Sequence, residues 1–233
     1  MNIITGETTE NMETTSLRTQ SDVQTKVSKK VYIKIKRVID VILASIALIL
    51  LSPLFAIIAI AIKIDSKGSV FFAHKRIGKN GKIIKLYKFR SMTTKYKTFD
   101  EFYETLTDKQ KEEWNQNYKL EDDPRITKIG KFLRKTSLDE LPQLINIING
   151  DLSIIGPRPV IADELEKYGT NKDKFLSVTP GLTGYWAANG RSNTTYEQRM
   201  EMELYYIDNL SFKMDVKVFF KTILSVLKKE GAI

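Results

Sequence analysis

The sequence predicts an α/β protein: a mostly helical cytoplasmic domain with a small β-hairpin, anchored by an N-terminal re-entrant membrane helix that is broken at Ser52-Pro53. Three observations predict this architecture: one long apolar run, one glycine-bearing turn between two short apolar segments, and several amphipathic segments towards the C-terminus. The chain has 233 residues and a formal net charge of +9. Its length leaves enough residues outside the apolar run for one domain with its own core.

Residues 1–30 form a polar leader that is rich in Thr, Glu, Ser and Gln and poor in large apolar side chains. Such a composition buries too little apolar surface to offset the entropy lost on folding. We therefore expect a disordered leader at 1–30, a re-entrant membrane helix at 31–65, and a cytoplasmic domain with interfacial amphipathic helices at 66–233.

The apolar run extends from Val38 to Ile62 and contains a single charge, Asp40. A run of this length can cross a hydrocarbon layer of about 30 Å. It is not typical of a signal peptide, because a polar segment precedes it and no small-residue cleavage site follows it. Asp40 lies near the entry of the run, where a charge costs less than at the bilayer centre.

Basic residues flank both ends of this run, and positive charge near a membrane segment marks the cytoplasmic side. A straight span would leave one basic cluster outside, whereas a helix that bends and returns keeps both inside. Pro53 removes one backbone hydrogen bond, and the Ser52 hydroxyl can satisfy a freed carbonyl. We therefore predict a re-entrant helix bent at this pair; the alternative is an ordinary span with a proline kink.

The composition excludes several kinds of site. Because the chain has no cysteine and only one histidine, His74, disulfides, thiolate metal sites and histidine-cluster metal sites are excluded. The positive charge suits anionic lipid headgroups or a phosphate-rich ligand. Nucleic acid would suit the charge equally well, but the apolar run has no place in a DNA-binding domain, so we predict no nucleic-acid partner.

The remaining elements follow from local patterns. Residues 69–72 and 83–89 are predicted strands, joined by a turn whose Asn80-Gly81 pair is a strong hairpin signal. Helices are predicted near 99–118 (one helix or two), 126–133, 138–148, 160–168, 196–208 and 212–229, with a rigid turn at 156–159 and a glycine-bearing loop at 180–193. The last helix carries an apolar stripe bordered by lysines, which suits either the membrane interface or packing on the core.

The strongest local group of chemically active residues is the acidic pair Asp139-Glu140, which follows the cations Arg134 and Lys135. Carboxylates beside phosphate-binding cations suggest a catalytic site. The structural alternative is a capping box, in which Ser137 and the residue three positions later close the start of a helix. Pro142 weakens that alternative, because it would fall where an intrahelical hydrogen bond is due.

Four further arginines lie beside a proline or glycine or at a strand end: Arg90, Arg125, Arg158 and Arg191. Loops at such places usually present ligand contacts, and a guanidinium group suits bidentate recognition of phosphate. For any single arginine, a solvated side chain is the simpler interpretation. Four such placements on a basic, membrane-tethered domain favour a phosphate site.

The order of these motifs resembles the bacterial sugar transferases of the monotopic phosphoglycosyl transferase superfamily, which begin glycan assembly on polyprenyl phosphate. The resemblance extends from about Lys36 to the C-terminus. It is carried by the segments KRVIDVILASIALILLSP, YKFRSM, EDDPRITKIGKFLRKTSLDELPQLINIINGDLSIIGPRP, PGLTGYWAANGR and LYYIDNLSFKMDVKVFFKTI. The long central segment is the most specific of them.

The resemblance implies a mechanism and a set of site residues. Asp139 would attack the β-phosphate of a UDP-sugar, release UMP and carry a phosphosugar, which undecaprenyl phosphate would then accept. Glu140 would assist with metal binding or proton handling, and both carboxylates would lie near a required Mg²⁺. The expected substrate-binding residues are Arg90, Arg125, Arg134, Gln143, Arg158 and Arg191.

The resemblance also implies a place and a pathway: the cytoplasmic face of a bacterial cell membrane, at the first membrane step of exopolysaccharide or capsule synthesis. A UDP-glucose or UDP-galactose donor is favoured. Two departures bear on the sugar: Ala187-Ala188 stands where many relatives carry Gln-Val, and Glu203 stands where an aspartate often occurs.

Two alternatives from other functional classes remain at this point. One is a non-catalytic, membrane-tethered scaffold of a polysaccharide assembly complex, and the other is a tethered basic domain that binds nucleic acid. The sequence also leaves open whether the chain forms a homodimer.

Overall fold

The structure, a computed structural model, describes residues 7–96, 98–117, 120–190 and 194–227. Its helices are α1 Glu7–Leu50, α2 Ser52–Asp65, α3 Phe99–Tyr103, α4 Asp108–Asn117, α5 Lys128–Thr136, α6 Gln143–Asn149, α7 Ala162–Glu166, α8 Lys172–Leu176, α9 Tyr185–Asn189, α10 Tyr196–Asp208 and α11 Phe212–Leu227. Its strands are β1 Phe71–Ile77, β2 Ile83–Phe89, β3 Ser153–Ile155 and β4 Gly181–Thr183. The predicted class, mostly helical with small sheets, is therefore confirmed.

Helices α1 and α2 form a bent pair. Their axes differ by 60°, and the break lies at Leu51, directly before Ser52-Pro53. Pro53 occupies the first turn of α2, where its missing N–H breaks no helical bond, and the Ser52 hydroxyl donates to the Ile49 carbonyl at 2.8 Å. The helix therefore breaks at the Ser52-Pro53 pair, as the sequence predicts.

Within the described residues, no single helix is both long and apolar enough to cross a membrane, whereas Lys29–Leu50 and Ser52–Asp65 meet that requirement together. The re-entrant path of this pair through a bilayer stays a prediction. Helix α1 begins at Glu7, so the backbone of residues 7–30 is helical where the composition predicts a disordered leader. The segment from Glu7 to Leu50 contains neither glycine nor proline, so no strong helix breaker interrupts it. The domain boundaries stay a prediction.

Polar contacts fix α1 to the rest of the domain. Asp40 is buried, and its carboxylate accepts hydrogen bonds from the Ser153 hydroxyl at 2.7 Å and the Ile154 amide at 3.1 Å. Arg37 donates to the carbonyls of Ile147 and Ile148 at the end of α6, where the helix leaves carbonyls without partners. The one charge of the apolar run is thus a buried tether to β3.

The hairpin forms as predicted, with a shift of its first strand. β1 and β2 pair antiparallel from Phe71 opposite Phe89 to Ile77 opposite Ile83. Asn80 and Gly81 have φ values of 55° and 76°, the left-handed region that this residue pair tolerates. β1 ends at Ile77, whereas the predicted strand ends at residue 72. The strand is longer because its pairing with β2 continues through the polar residues His74, Lys75 and Arg76.

A second, parallel sheet pairs Ser153 with Gly181 and Ile155 with Thr183. Its strands are very short, and glycines let their ends approach closely. A Cβ on Gly184 would lie 2.1 Å from the carbonyl oxygen of Gly156, so no larger residue fits there without movement. The Gly156–Pro159 turn is thereby packed against the end of β4.

Apolar clusters hold the elements around one cleft. One joins α2, β2 and α5 through Ile58, Ile62, Phe89 and Leu133. The others, each given by some of its buried members, join α1, β2 and α6 (Ala44, Ile84, Leu86, Ile147), the C-terminal helices (Val160, Phe175, Tyr206, Val218), and the α3–α4 region (Phe102, Leu106, Leu120). The predicted 99–118 helix is the pair α3 and α4.

Candidate active site

The cleft has a volume of about 1380 Å³ and lies between the end of β2, the segment after α5, the Gly156–Pro159 turn, and helices α9 to α11. Both carboxylates of the acidic pair line it. Pockets for drug-sized ligands usually measure roughly 300–1,000 Å³, so this cleft can hold a ligand of nucleotide-sugar size with room for a second substrate.

The acidic pair lies on a single 3-10 turn, Leu138–Glu140, between α5 and α6. Ser137 adopts left-handed backbone angles (φ 56°, ψ 16°), and its side chain makes no capping hydrogen bond. The capping-box alternative is therefore wrong. Pro142 stands directly before α6, which splits the predicted 138–148 helix and leaves the acidic pair on a tight, strained connection, as is common at functional sites.

Lys88 supplies a positive charge to both carboxylates. Its Nζ lies 2.6 Å from Glu140 Oε1 and 3.7 Å from Asp139 Oδ2. Asp139 is 8 % exposed, and this burial raises its pKa above the usual aspartate value, while the charge of Lys88 acts in the opposite direction. Lys88 is one of the basic residues that follow the apolar run, and it was not predicted as a site residue; its place in the predicted strand, beside Phe89 and Arg90, was the available signal.

Arg134 and Arg158 approach the cleft from two sides. Arg134, in the last turn of α5, donates from Nε to the Ser91 hydroxyl at 2.9 Å and lines the cleft. Arg158 also lines the cleft, with its guanidinium 6.0 Å from the Trp186 ring centre. The structure thus brings both predicted arginines to the acidic pair's cavity.

A network of charged residues forms the wall beside Trp186. Glu164 accepts from Arg199 Nη1 at 3.1 Å and from Arg76 Nη1 at 3.2 Å. The Arg199 guanidinium lies 4.8 Å from the Trp186 ring centre, within cation–π range. Arg76 and Arg199 were missed because neither stands beside a turn residue; they meet only through the hairpin register and the packing of α10.

Two of the predicted arginines make mainly structural contacts. Arg90 donates to the carbonyls of Ser66 and Lys67, directly after helix α2, where a cation satisfies free carbonyls and suits the helix dipole. Arg125 binds the Asp123 carboxylate through two nitrogens and lies 4.0 Å from the Phe102 ring centre. Both still line the cleft, so their substrate contacts stay a prediction.

The remaining predicted substrate-binding residues are Gln143 and Arg191. Gln143 is buried at the start of α6 and lines a smaller chamber of about 70 Å³ next to the cleft. Arg191 lies outside the described residues.

No group of three or more histidine, cysteine or acidic side chains within the described part of the chain lies together as a metal site. Mg²⁺ at phosphate sites needs only one or two carboxylates, with phosphate oxygens and water as the other ligands. Asp139 and Glu140 already share one cation, the Lys88 ammonium group. Their oxygen donors fit Mg²⁺ bound together with a diphosphate.

The mouth of the cleft is apolar. Phe71, Phe72, Phe219 and Ile223 line it and are 40–55 % exposed. On α11, the stripe that includes Phe212 and Phe219 is exposed, whereas Val218 on another face is buried. The core-packing alternative for this stripe is therefore wrong, and the interfacial alternative agrees with the exposure.

Comparison with known proteins gives a consistent result. A family model described as bacterial sugar transferase matches residues 31–229. The chain is 46% identical over 198 residues to the exopolysaccharide production protein ExoY of Rhizobium meliloti, which covers 84% of this chain and 87% of that relative.

Two longer relatives have names that state an activity. The undecaprenyl-phosphate galactose phosphotransferase of Salmonella typhimurium is 38% identical over 212 residues, and the UDP-glucose:undecaprenyl-phosphate glucose-1-phosphate transferase of Escherichia coli is 41% identical over 197 residues. The matches cover 90% and 81% of this chain, but only 44% and 39% of those relatives. The chain therefore spans less than half the length of either one.

Proposed function

Because the chain belongs to the bacterial sugar transferase family and is thus an enzyme, we propose that it transfers a hexose 1-phosphate from a UDP-sugar to undecaprenyl phosphate. The names of the Salmonella and E. coli relatives support both substrates, with galactose or glucose as the sugar. The reaction would be the first membrane step of exopolysaccharide or capsule synthesis, at the cytoplasmic face of the bacterial membrane. Family membership sets aside the nucleic-acid alternative.

One observation carries the proposal: two adjacent carboxylates share the Lys88 ammonium group inside a cleft that Arg134 and Arg158 also line. A carboxylate can attack phosphorus once its own charge and that of the diphosphate are offset by cations. Mg²⁺ held by Asp139 and Glu140 would supply further neutralisation of the diphosphate. Asp139 is the better nucleophile candidate, because Glu140 forms the closer ion pair with Lys88.

The proposed transfer is a double displacement at the β-phosphorus of the UDP-sugar. An Asp139 carboxylate oxygen forms a bond to the β-phosphorus, and the bond from that phosphorus to the bridging oxygen breaks, so UMP leaves with the electron pair. A phosphate oxygen of undecaprenyl phosphate then attacks the same phosphorus. The bond to Asp139 breaks, which restores the carboxylate and yields the lipid diphosphate sugar.

The two-sided chemistry of the cleft supports a soluble donor and a lipid acceptor. Lys88, Arg134 and Arg158 form its cationic floor, which suits phosphates. Its mouth at Phe71, Phe72 and Phe219 suits the first isoprene units of the acceptor. The bent pair of α1 and α2, with exposed apolar side chains, would hold this mouth at the membrane surface. This arrangement is the monotopic topology that the sequence resemblance implies.

The decisive experiment replaces the proposed nucleophile. Asp139→Asn is expected to abolish UMP release, the covalent phosphosugar adduct and the lipid-linked product, since a neutral amide is a poor nucleophile towards phosphorus. UDP-glucose and UDP-galactose are tested with undecaprenyl phosphate and Mg²⁺, and the adduct is sought by intact-protein mass spectrometry. The exposed Asp163 provides a matched control, Asp163→Asn, with normal activity.

Two outcomes contradict the proposal. Full activity of Asp139→Asn would refute the nucleophile assignment. Wild-type protein that releases no UMP and makes no lipid-linked product with any UDP-sugar would favour the non-catalytic scaffold.

A further inference from the structure

Glu203 is a fully buried acid that the transfer chemistry does not use. It lies on α10 and is 1 % exposed. Its Oε1 accepts a hydrogen bond from the backbone N–H of Arg158 at 3.0 Å, and its Oε2 has no hydrogen-bond partner among the described residues. A buried carboxylate held in this way is costly, so its presence beside the cleft needs an explanation.

The group that donates to Glu203, the backbone N–H of Arg158, gives a first reason for this buried carboxylate. Arg158 stands between Pro157 and Pro159, and neither proline has a backbone N–H. The N–H of Arg158 is therefore the only backbone donor in this tripeptide, and Glu203 accepts it. The carboxylate thus holds the turn directly at the residue whose side chain lines the cleft.

The charges around Glu203 come from several elements. Arg199 precedes it by one turn on α10, Arg158 faces it from the turn, and the Tyr168 hydroxyl interacts with it electrostatically. The adjoining chamber of about 70 Å³ is lined by Glu203 itself and, among others, by His74, Arg76, Lys88 and Glu140. Burial raises the pKa of Glu203 to about 7, while Arg158 and Arg199 act in the opposite direction.

We propose that Glu203 is a positioning residue for the transfer reaction: its ionised carboxylate holds the Pro157–Pro159 turn so that the Arg158 side chain stays in the cleft that the acidic pair lines. The proposal rests on the proposed function of the cleft. Charge matters because a hydrogen bond to a carboxylate is roughly twice as strong as one to a neutral acceptor. As pH falls through about 7, protonation of Glu203 weakens the hold on Arg158.

The first test compares Glu203→Gln, which keeps the size and an acceptor oxygen but carries no charge, with the wild type. We measure kcat/KM for UDP-galactose and UDP-glucose between pH 5.5 and 8.5, with undecaprenyl phosphate and Mg²⁺. Above pH 7.5 the variant is expected to be about fivefold to tenfold slower, and at pH 5.5 the two proteins converge. Glu201→Gln, at an exposed acid on the same helix, is the matched control and keeps the wild-type profile.

The second test does not depend on turnover. The chain has two tryptophans, Trp114 and Trp186, and Trp186 lies beside both Arg158 and Arg199. In a Trp114→Phe background, the emission of Trp186 is expected to change with a midpoint near pH 7, and Glu203→Gln removes that change. The nearby His74 has a pKa lowered by burial and by Arg76, so a transition that persists in Glu203→Gln would belong to this histidine.

The outcomes separate the two proposals. A Glu203→Gln variant with the wild-type pH profile, or a Trp186 transition unchanged by that substitution, overturns the role of Glu203. If the wild type shows no turnover with any UDP-sugar, the proposed function fails, but the Trp186 titration still decides whether this carboxylate sets the environment of the turn.

Discussion

At the residue scale, a few side chains decide what the acidic pair can do. Ser137 turns the chain out of α5 in a left-handed conformation, so the carboxylates lie on a tight turn rather than in a capped helix. Lys88 then gives both acids one shared cation. Since a buried carboxylate resists ionisation, Lys88 is the residue that most directly favours the ionised Asp139 that the proposed nucleophilic role requires.

Lys88→Met tests this role. Removing the ammonium group is expected to raise the pKa of Asp139 further, because burial then acts without its main opposing charge. Activity should fall at least about tenfold near neutral pH, and the acid limb of the pH–rate profile should move to higher pH, since the proposed nucleophile attacks as the ionised carboxylate. UMP release measured across pH gives both quantities.

Lys85→Met is the matched control, because Lys85 lies on the same strand and is exposed. It should leave the rate and the acid limb unchanged. A Lys88→Met variant whose acid limb coincides with that of the wild type would show that another group sets the ionisation of Asp139.

At the element scale, the elements with a strong local signal were predictable. The hairpin has Asn80-Gly81 at its turn, and the helix break has Ser52-Pro53, so both follow from the chemistry of neighbouring residues. The strands β3 and β4 were not predictable, because each is only three residues long and they pair across a wide separation in the chain. Their formation depends on close packing of glycines that face each other only after folding.

The sequence also predicts part of the candidate site, whereas other contacts in it depend on how the chain packs. The acidic pair, Arg134 and Arg158 lie in distinctive motifs, and the structure brings them to one cleft. Arg90 also stands in such a motif, yet its guanidinium binds the end of α2, because a helix terminus one strand away offers free carbonyls. A sequence motif therefore fixes where an arginine stands along the chain, whereas the contacts of its side chain depend on tertiary packing.

The bend between α1 and α2 leads to a prediction about topology. Pro53→Ala restores a backbone N–H and removes the ring that obstructs a continuous helix, so a straighter helix that spans the membrane is favoured. The chain has no cysteine, so single cysteines at Ser21→Cys and Lys79→Cys can be labelled in intact cells. With Pro53 present, a membrane-impermeant reagent should reach neither site.

In the Pro53→Ala background, the reagent should label Ser21→Cys and still miss Lys79→Cys. The cysteine at position 79 is the internal control, because it lies in the hairpin turn of the domain. Equal protection of both sites in the alanine variant would place the cause of the bend outside this proline.

At the scale of the whole molecule, one cavity joins a cationic floor to an apolar mouth, and both belong to elements that meet only in the folded chain. Phe219 lines this mouth, whereas its neighbour Phe220 is 60 % exposed and lies outside the residues that line the cleft. The two phenylalanines therefore separate contact with a bound acceptor from general contact with a membrane surface.

Phe219→Ser is expected to raise the KM for undecaprenyl phosphate about fivefold or more, because one aromatic surface is lost from the acceptor path. Formation of the phosphosugar adduct from donor alone should remain as in the wild type. Phe220→Ser removes a similar apolar area from the same helix and should change neither quantity. Equal effects of the two substitutions would mean that this region only touches lipid.

The contacts of α1 with the domain have one further consequence. Asp40 binds β3, Arg37 binds the end of α6, and Tyr32 and Lys36 bind Asp215 on α11, so contacts with several elements join this helix to the body of the protein. In the proposed membrane topology, the height of the candidate site above the lipid headgroups is then a property of the polypeptide itself. In that topology a thinner or thicker bilayer would tilt or sink the whole enzyme as one unit, so lipid acyl-chain length becomes a variable that can tune the encounter with the proposed acceptor.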